Sequence, residues 1–121
     1  MQMLYLGADS AGVSHFEDRE LRFSLADFAP PAPPMGVSEA IEAQTLLFLD
    51  LPAGWSDAAH CSPCRQVALC LSGRMRVRAG DGEERIIEPG GIWQMEDTSG
   101  GGHASAVIGD QPVRLAIIQL T

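Results

Sequence analysis

The residue types able to do chemistry crowd into two short stretches, His60 to Gln66 and Glu96 to His103. Along a strand, residues two apart share a face, so a regular backbone turns His60, Ser62, Cys64 and Gln66 the same way. An imidazole on such a face can ligate a transition metal or line a polar pocket. Gln66 can add a carbonyl oxygen but no charge, which lowers metal affinity by orders of magnitude relative to a carboxylate.

The neighbouring side chains each have two readings. The Arg65 guanidinium could clamp a ligand carboxylate or phosphate at a pocket mouth. By parity it faces away from Gln66, and an ion pair with Asp57 or Glu96 is the favoured expectation. Glu96 could act as a general base, its pKa raised by an apolar wall such as Trp93, or could pair with an arginine. Asp97 is expected to close an Asx-type turn onto Gly100-Gly101-Gly102, itself read as a flexible turn. No helix carrying a Lys follows those glycines, so they are not a phosphate-cradling loop. Cys61 and Cys64 have redox-motif and zinc-like spacing without the context of either, and are read as incidental thiols. Cys70 is read as a small core residue.

The rest of the chain limits the chemistry open to these residues. Eight arginines, no lysine and sixteen acidic residues give a net charge of -8, which repels phosphate backbones and argues against nucleic-acid binding. The longest apolar runs, such as 45–51, are too short to span a bilayer. No basic segment leads into an apolar stretch with a cleavage site, so a cytoplasmic protein is expected. Three cysteines do not make a disulfide framework.

The elements that must position the site read as strands. Candidates are 3–6, 21–25, 46–51, 66–71, 74–78, 84–87, 92–96, 104–108 and 113–120, with turns such as Asp81-Gly82 between them. A polar turn is expected over 7–14 and a single short helix over 37–43. The run Ala29-Pro30-Pro31-Ala32-Pro33-Pro34 reads as a polyproline-like arm across the surface. At 121 residues this makes one domain, with N-terminal strands and arm over 1–43 and a barrel core over 44–121.

The stretch from Gly54 to His103 resembles the cupins. Gly54, then five residues, His60, Ser62, Gln66 and Gly73 keep the frame of the first cupin motif, with Ser62 replacing its second His and Gln66 its Glu. Pro89-Gly90-Gly91 and His103 stand at the ends of the second motif. The sequence is similar above all to a subgroup of small cupin-like proteins of undefined activity. That likeness rests on His60, Pro63, Arg65, Gln66, Glu96-Asp97-Thr98, Gly100, Gly102 and His103, and on Ser14-His15-Phe16-Glu17-Asp18 near the start.

The resemblance implies an all-β, jelly-roll-like double-stranded β-helix, with the His60 face inward and His103 approaching it from an adjacent strand. A metal there would be one divalent ion (Fe, Ni, Mn or Zn) on His60, Gln66 and His103, with Ser62 beside them. Glu96 or His15 would complete the set if either points inward. Two functions of different classes follow. One is a protein binding a small polar ligand around His60, Gln66 and His103. The other is an isomerase, lyase or oxygenase using those residues, with a metal as Lewis acid or oxygen binder. Val67, Leu69 and Leu71 are apolar on the face opposite the pocket, so a homodimer is expected to cover them, with the Pro-rich arm as the competing cover.

Overall fold

The computed structural model describes all residues from Met1 to Thr121 and contains strands but no helix. Six strands form the larger sheet: β1 (Gln2–Ala8), β2 (Ser14–Glu20), β5 (Ala43–Leu51), β6 (Gln66–Ser72), β9 (Ile92–Met95) and β11 (Val113–Leu120), in the spatial order β2-β1-β9-β6-β11-β5. The smaller sheet runs β10 (Ala104–Ile108), β7 (Arg74–Arg78), β8 (Glu84–Ile87). Residues 55–60 extend it along β10, through bridges at Ser56–Ala106 and His60–His103. A separate hairpin pairs β3 (Ser24–Ala26) with β4 (Met35–Val37).

Both sheets turn an apolar face inward. Leu6, Ala68, Trp93, Met95, Leu115 and Ile117 from the larger sheet meet Met75, Val77 and Ile87 from the smaller one. In β7 the apolar pair Met75 and Val77 is buried, while Arg74, Arg76 and Arg78 face water. Leu6 has no accessible surface. Truncating it to alanine would cost about 2–5 kcal/mol, so β1 is a full member of the barrel. β1 lies parallel to β9 and every other pairing is antiparallel.

Several expectations are corrected. The strand expected over 21–25 shrinks to Ser24–Ala26, and a seven-residue strand, β2, occupies 14–20. Its register with β1 runs unbroken from Gln2–Glu20 to Ala8–Ser14. The turn between them is shorter than expected, because the Asp9 carboxylate accepts the amides of Ala11 and Val13 at 2.8 and 3.0 Å and folds it tightly. No helix forms at 37–43, where the chain passes from β4 into β5. That segment is too short to nucleate a helix alone and has no surface to pack on. The Pro-rich run forms the turn of the β3–β4 hairpin, closed by the Ala32 amide on the Ala29 carbonyl at 2.9 Å, and does not lie on the barrel. No helix is long and apolar enough to cross a membrane.

Candidate functional site

His60 and His103 meet as a hydrogen-bonded antiparallel pair, each amide donating to the other's carbonyl at 3.0 Å. Such pairing puts the two side chains on one face. Their ring centroids are 5.3 Å apart, tilted by 46°. His103 is only 4 % exposed and packs edge-on against Trp93 at 5.1 Å, whereas the His60 side chain is 53 % exposed at the barrel rim.

Each imidazole has a carboxylate behind its Nδ1. His103 donates from Nδ1 to Asp97 Oδ2 at 2.5 Å, and Asp97, fully buried, takes the Ser62 hydroxyl on Oδ1 at 2.9 Å. A carboxylate only accepts, so the Nδ1 proton is fixed, and in its neutral form the ring offers its lone pair at Nε2. His60 Nδ1 is hydrogen-bonded to the Ala58 carbonyl at 3.2 Å, while Asp57 Oδ2, 3.0 Å from the same nitrogen, is close enough for an ion pair but not aligned as a hydrogen bond. The other oxygen of Asp57 accepts the Ser105 amide at 2.7 Å.

Glycine makes this approach possible. Gly102 has φ of +70°, and any Cβ there would strike the His60 carbonyl. Gly100, at +82°, presses on the Gly12 backbone in the same way. The glycine run is therefore a tightly packed strap, not the flexible turn expected of it. Cys61 reinforces it by donating its thiol to the Gly100 carbonyl at 3.0 Å.

The remaining candidates go elsewhere. Gln66 is buried, and its amide donates weakly to Met95 Sδ at 3.6 Å instead of bonding an imidazole. Arg65 takes the structural option: Nε reaches both Glu96 oxygens at 2.8 and 2.9 Å, and Nη1 the Thr121 carbonyl at 3.1 Å. For Glu96, burial would raise the pKa, but Arg65 and Gln94 outweigh it, and the carboxyl sits below its usual range. The raised pKa expected of a general base is thus not found. Asp97 does not close a turn. Its role behind His103 was missed, and the only sequence signal was a carboxylate six residues before the histidine across a glycine strap. Burial pushes the Cys70 thiol up, consistent with an inert core position. His15 lies at neither imidazole, bound instead between Asp9 and Asp81.

A helix-free pair of facing sheets, with the motif histidines bridged between the strands at one end, decides the architecture. The all-β architecture is consistent with a cupin-type barrel fold. Solved structures of similar topology include the cupin domain of Schizosaccharomyces pombe Cnp3, at 17 % identity over 89 % of this chain and 72 % of that one, TM-score 0.49. Another is protein NMB1881 of Neisseria meningitidis, at 16 % identity over 70 % of this chain and 88 % of that one, TM-score 0.46. These likenesses concern the fold and carry no activity across. No protein-family model and no curated protein matches the sequence.

The usual cupin metal site does not fit this donor set. No three His, Cys, Asp or Glu side chains are placed to hold a metal ion together. His103 keeps Nε2 free, but the Ser62 hydroxyl is spent on Asp97 and Gln66 turns to Met95, which leaves two imidazoles and no carboxylate facing them. The four main surface depressions, of about 250 to 690 Å³, are lined by residues other than His60, Gln66 and His103. One of them, about 250 Å³, lies beside the imidazole pair, because Asp57 and Ser105 line it together with Arg76 and Arg78.

Proposed function

We propose that this cupin barrel binds a small polar molecule at the rim formed by His60 and His103, using imidazole nitrogens in place of a metal. The observation that carries the reading is the buried Asp97–His103 pair, which fixes one tautomer and leaves Nε2 as the ring's remaining polar atom. Trp93 adds support. Its Nε1–H is buried without an acceptor, on the ring packed against His103, and orphan donors of this kind mark places where a ligand or water group belongs.

Side-chain NMR of protein labelled at histidine tests it. Titration with small carboxylates, amides and polyols should shift His60 and His103 together for at least one compound class, and His60→Ala should weaken that binding. If no class moves either ring, the rim is not a ligand site. Elemental analysis of tag-free protein tests the metal-free part. Near-stoichiometric Fe, Ni, Mn or Zn, lost in His60→Ala, would overturn it. Gln66→Glu restores the motif carboxylate and should raise divalent-ion affinity; an unchanged calorimetric titration would take Gln66 out of the site.

A catalytic reading is favoured by the same Asp97–His103 geometry. An imidazole backed at Nδ1 by a carboxylate can take a proton at Nε2, and the imidazolium so formed is stabilised by Asp97. Deuterium exchange from solvent into the bound compound, abolished in Asp97→Asn, would establish it.

The partner we propose is a second copy of the chain. Of the outward positions expected to need cover, Val67 is buried and Leu69 half-buried, but Leu71 is 54 % exposed, and with it Leu46 and Phe48 of β5 at 62 and 68 %. Sedimentation should show a dimer that Phe48→Asp converts to monomer. Only monomer at micromolar concentration would exclude it.

A further inference from the structure

His15 lies outside the rim, yet its surroundings lead back to His103. Nε2 is 2.7 Å from Asp9 Oδ2 and Nδ1 is 3.1 Å from Asp81 Oδ2. A neutral imidazole has one N–H and a carboxylate only accepts, so both bonds together require the imidazolium. Asp9 belongs to the β1–β2 turn and Asp81 to the β7–β8 turn, so the charged ring ties two turns that are distant in sequence. The strand on its other side, β1, offers Gly7 opposite His15 and brings no charge.

Ser14, the adjacent residue, has no accessible surface. Its hydroxyl donates to the Gly102 carbonyl at 2.7 Å and accepts the Gly80 amide at 2.7 Å. Its carbonyl accepts the Asp81 amide at 3.2 Å, and the Gly12 carbonyl accepts the Gly101 amide at 3.0 Å. The two turns and the glycine strap therefore meet at Ser14. One residue beyond Gly102 is His103.

We propose that His15 is a proton-operated clamp: as imidazolium it locks both turns onto the glycine strap and holds His103 in place, and on deprotonation it frees one aspartate and loosens the strap. His15 is a positioning residue. The consequence for ligand binding rests on the rim reading above, but the mechanical coupling does not. Asp9 and Asp81 raise the His15 pKa above its ordinary value. His15 and the turn amides in turn lower that of Asp9, while the Glu83 amide and then His15 lower that of Asp81. The clamp thus operates between the titration of the carboxylates and that of the imidazole.

The experiment uses the full chain without ligand and compares it with His15→Gln, a change at a half-exposed position that should not disturb folding. In the unaltered protein the His103 ring resonances should show an inflection at the pH where His15 titrates. Gly101 amide protection should fall there by roughly three- to tenfold. In His15→Gln the inflection should vanish and protection should stay low throughout. Identical pH dependence of the His103 ring resonances in both proteins, or Gly101 protection indifferent to His15, would overturn the clamp. Neither outcome touches the ligand screen, so failure of the clamp and failure of the rim reading are told apart.

Discussion

The molecule holds two aspartate–histidine groupings of nearly the same composition in opposite surroundings. Asp97, His103 and Ser62 sit inside the barrel, with the imidazole and carboxylate 4 and 0 % exposed. Asp9, His15 and Asp81 sit at the surface, with side chains 30 to 48 % exposed. Inside, water cannot replace a lost partner, so each bond is obligatory and the tautomer is set by geometry. Outside, water competes for every group, so the cluster holds only while its charges are right. The same pair of residue types is held by burial in one place and by charge in the other.

The strongest way to break this contrast is to remove the two carboxylates in turn. Asp97→Ala should destabilise the fold by about 3–5 kcal/mol, since the His103 N–H and the Ser62 hydroxyl lose their acceptor where water cannot follow. Asp9→Ala should fall far below that in the same urea titration. Comparable losses would mean that burial is not what separates the two groupings. Next in size is Ser62→Ala, expected to cost about 1–2 kcal/mol and to shift the His103 ring resonances, because Asp97 keeps only one side-chain donor. A stable variant with unmoved resonances would show that Ser62 merely fills space.

How much of this was legible in the sequence differs between the two groupings and the frame that carries them. The strands at 74–78, 84–87, 104–108 and 113–120 fall where expected, because one face of each is wet or packed differently from the other and hydropathy records it. β2 left no such record. Its residues Glu17, Asp18, Arg19 and Glu20 are charged without alternation, as suits an edge strand guarded against pairing with another chain. The Arg65–Glu96 pair was among the options that parity allowed. His60 and His103 came together through motif spacing, but Asp97 could not be placed behind His103. Its second partner, Ser62, is 35 residues away, and only the folded glycine strap brings all three together. Asp9 and Asp81 escaped for the same reason, being joined through a ring 66 residues from Asp81.

The smallest expected effect distinguishes the groupings by pH and salt. His15 has a raised pKa in the folded chain, so its contribution is full below the ordinary histidine value and is lost as pH rises through the raised one. Asp9 and Asp81 have lowered values, so theirs is present above the ordinary carboxylate value and is lost as pH falls through the depressed ones. Asp9→Asn should therefore lower the thermal midpoint only inside that window and flatten both limbs of the stability profile. At about 1 M salt, where screening acts within about 3 Å, the difference between Asp9→Asn and the unaltered protein should shrink towards zero. The Asp97→Ala deficit should persist there, because solvent ions do not reach a carboxylate with no accessible surface. A salt-insensitive Asp9→Asn deficit would mean that the turn-closing bonds of Asp9 to the Ala11 and Val13 amides outweigh its pairing with His15, and the surface grouping would then belong with the fixed parts of the barrel.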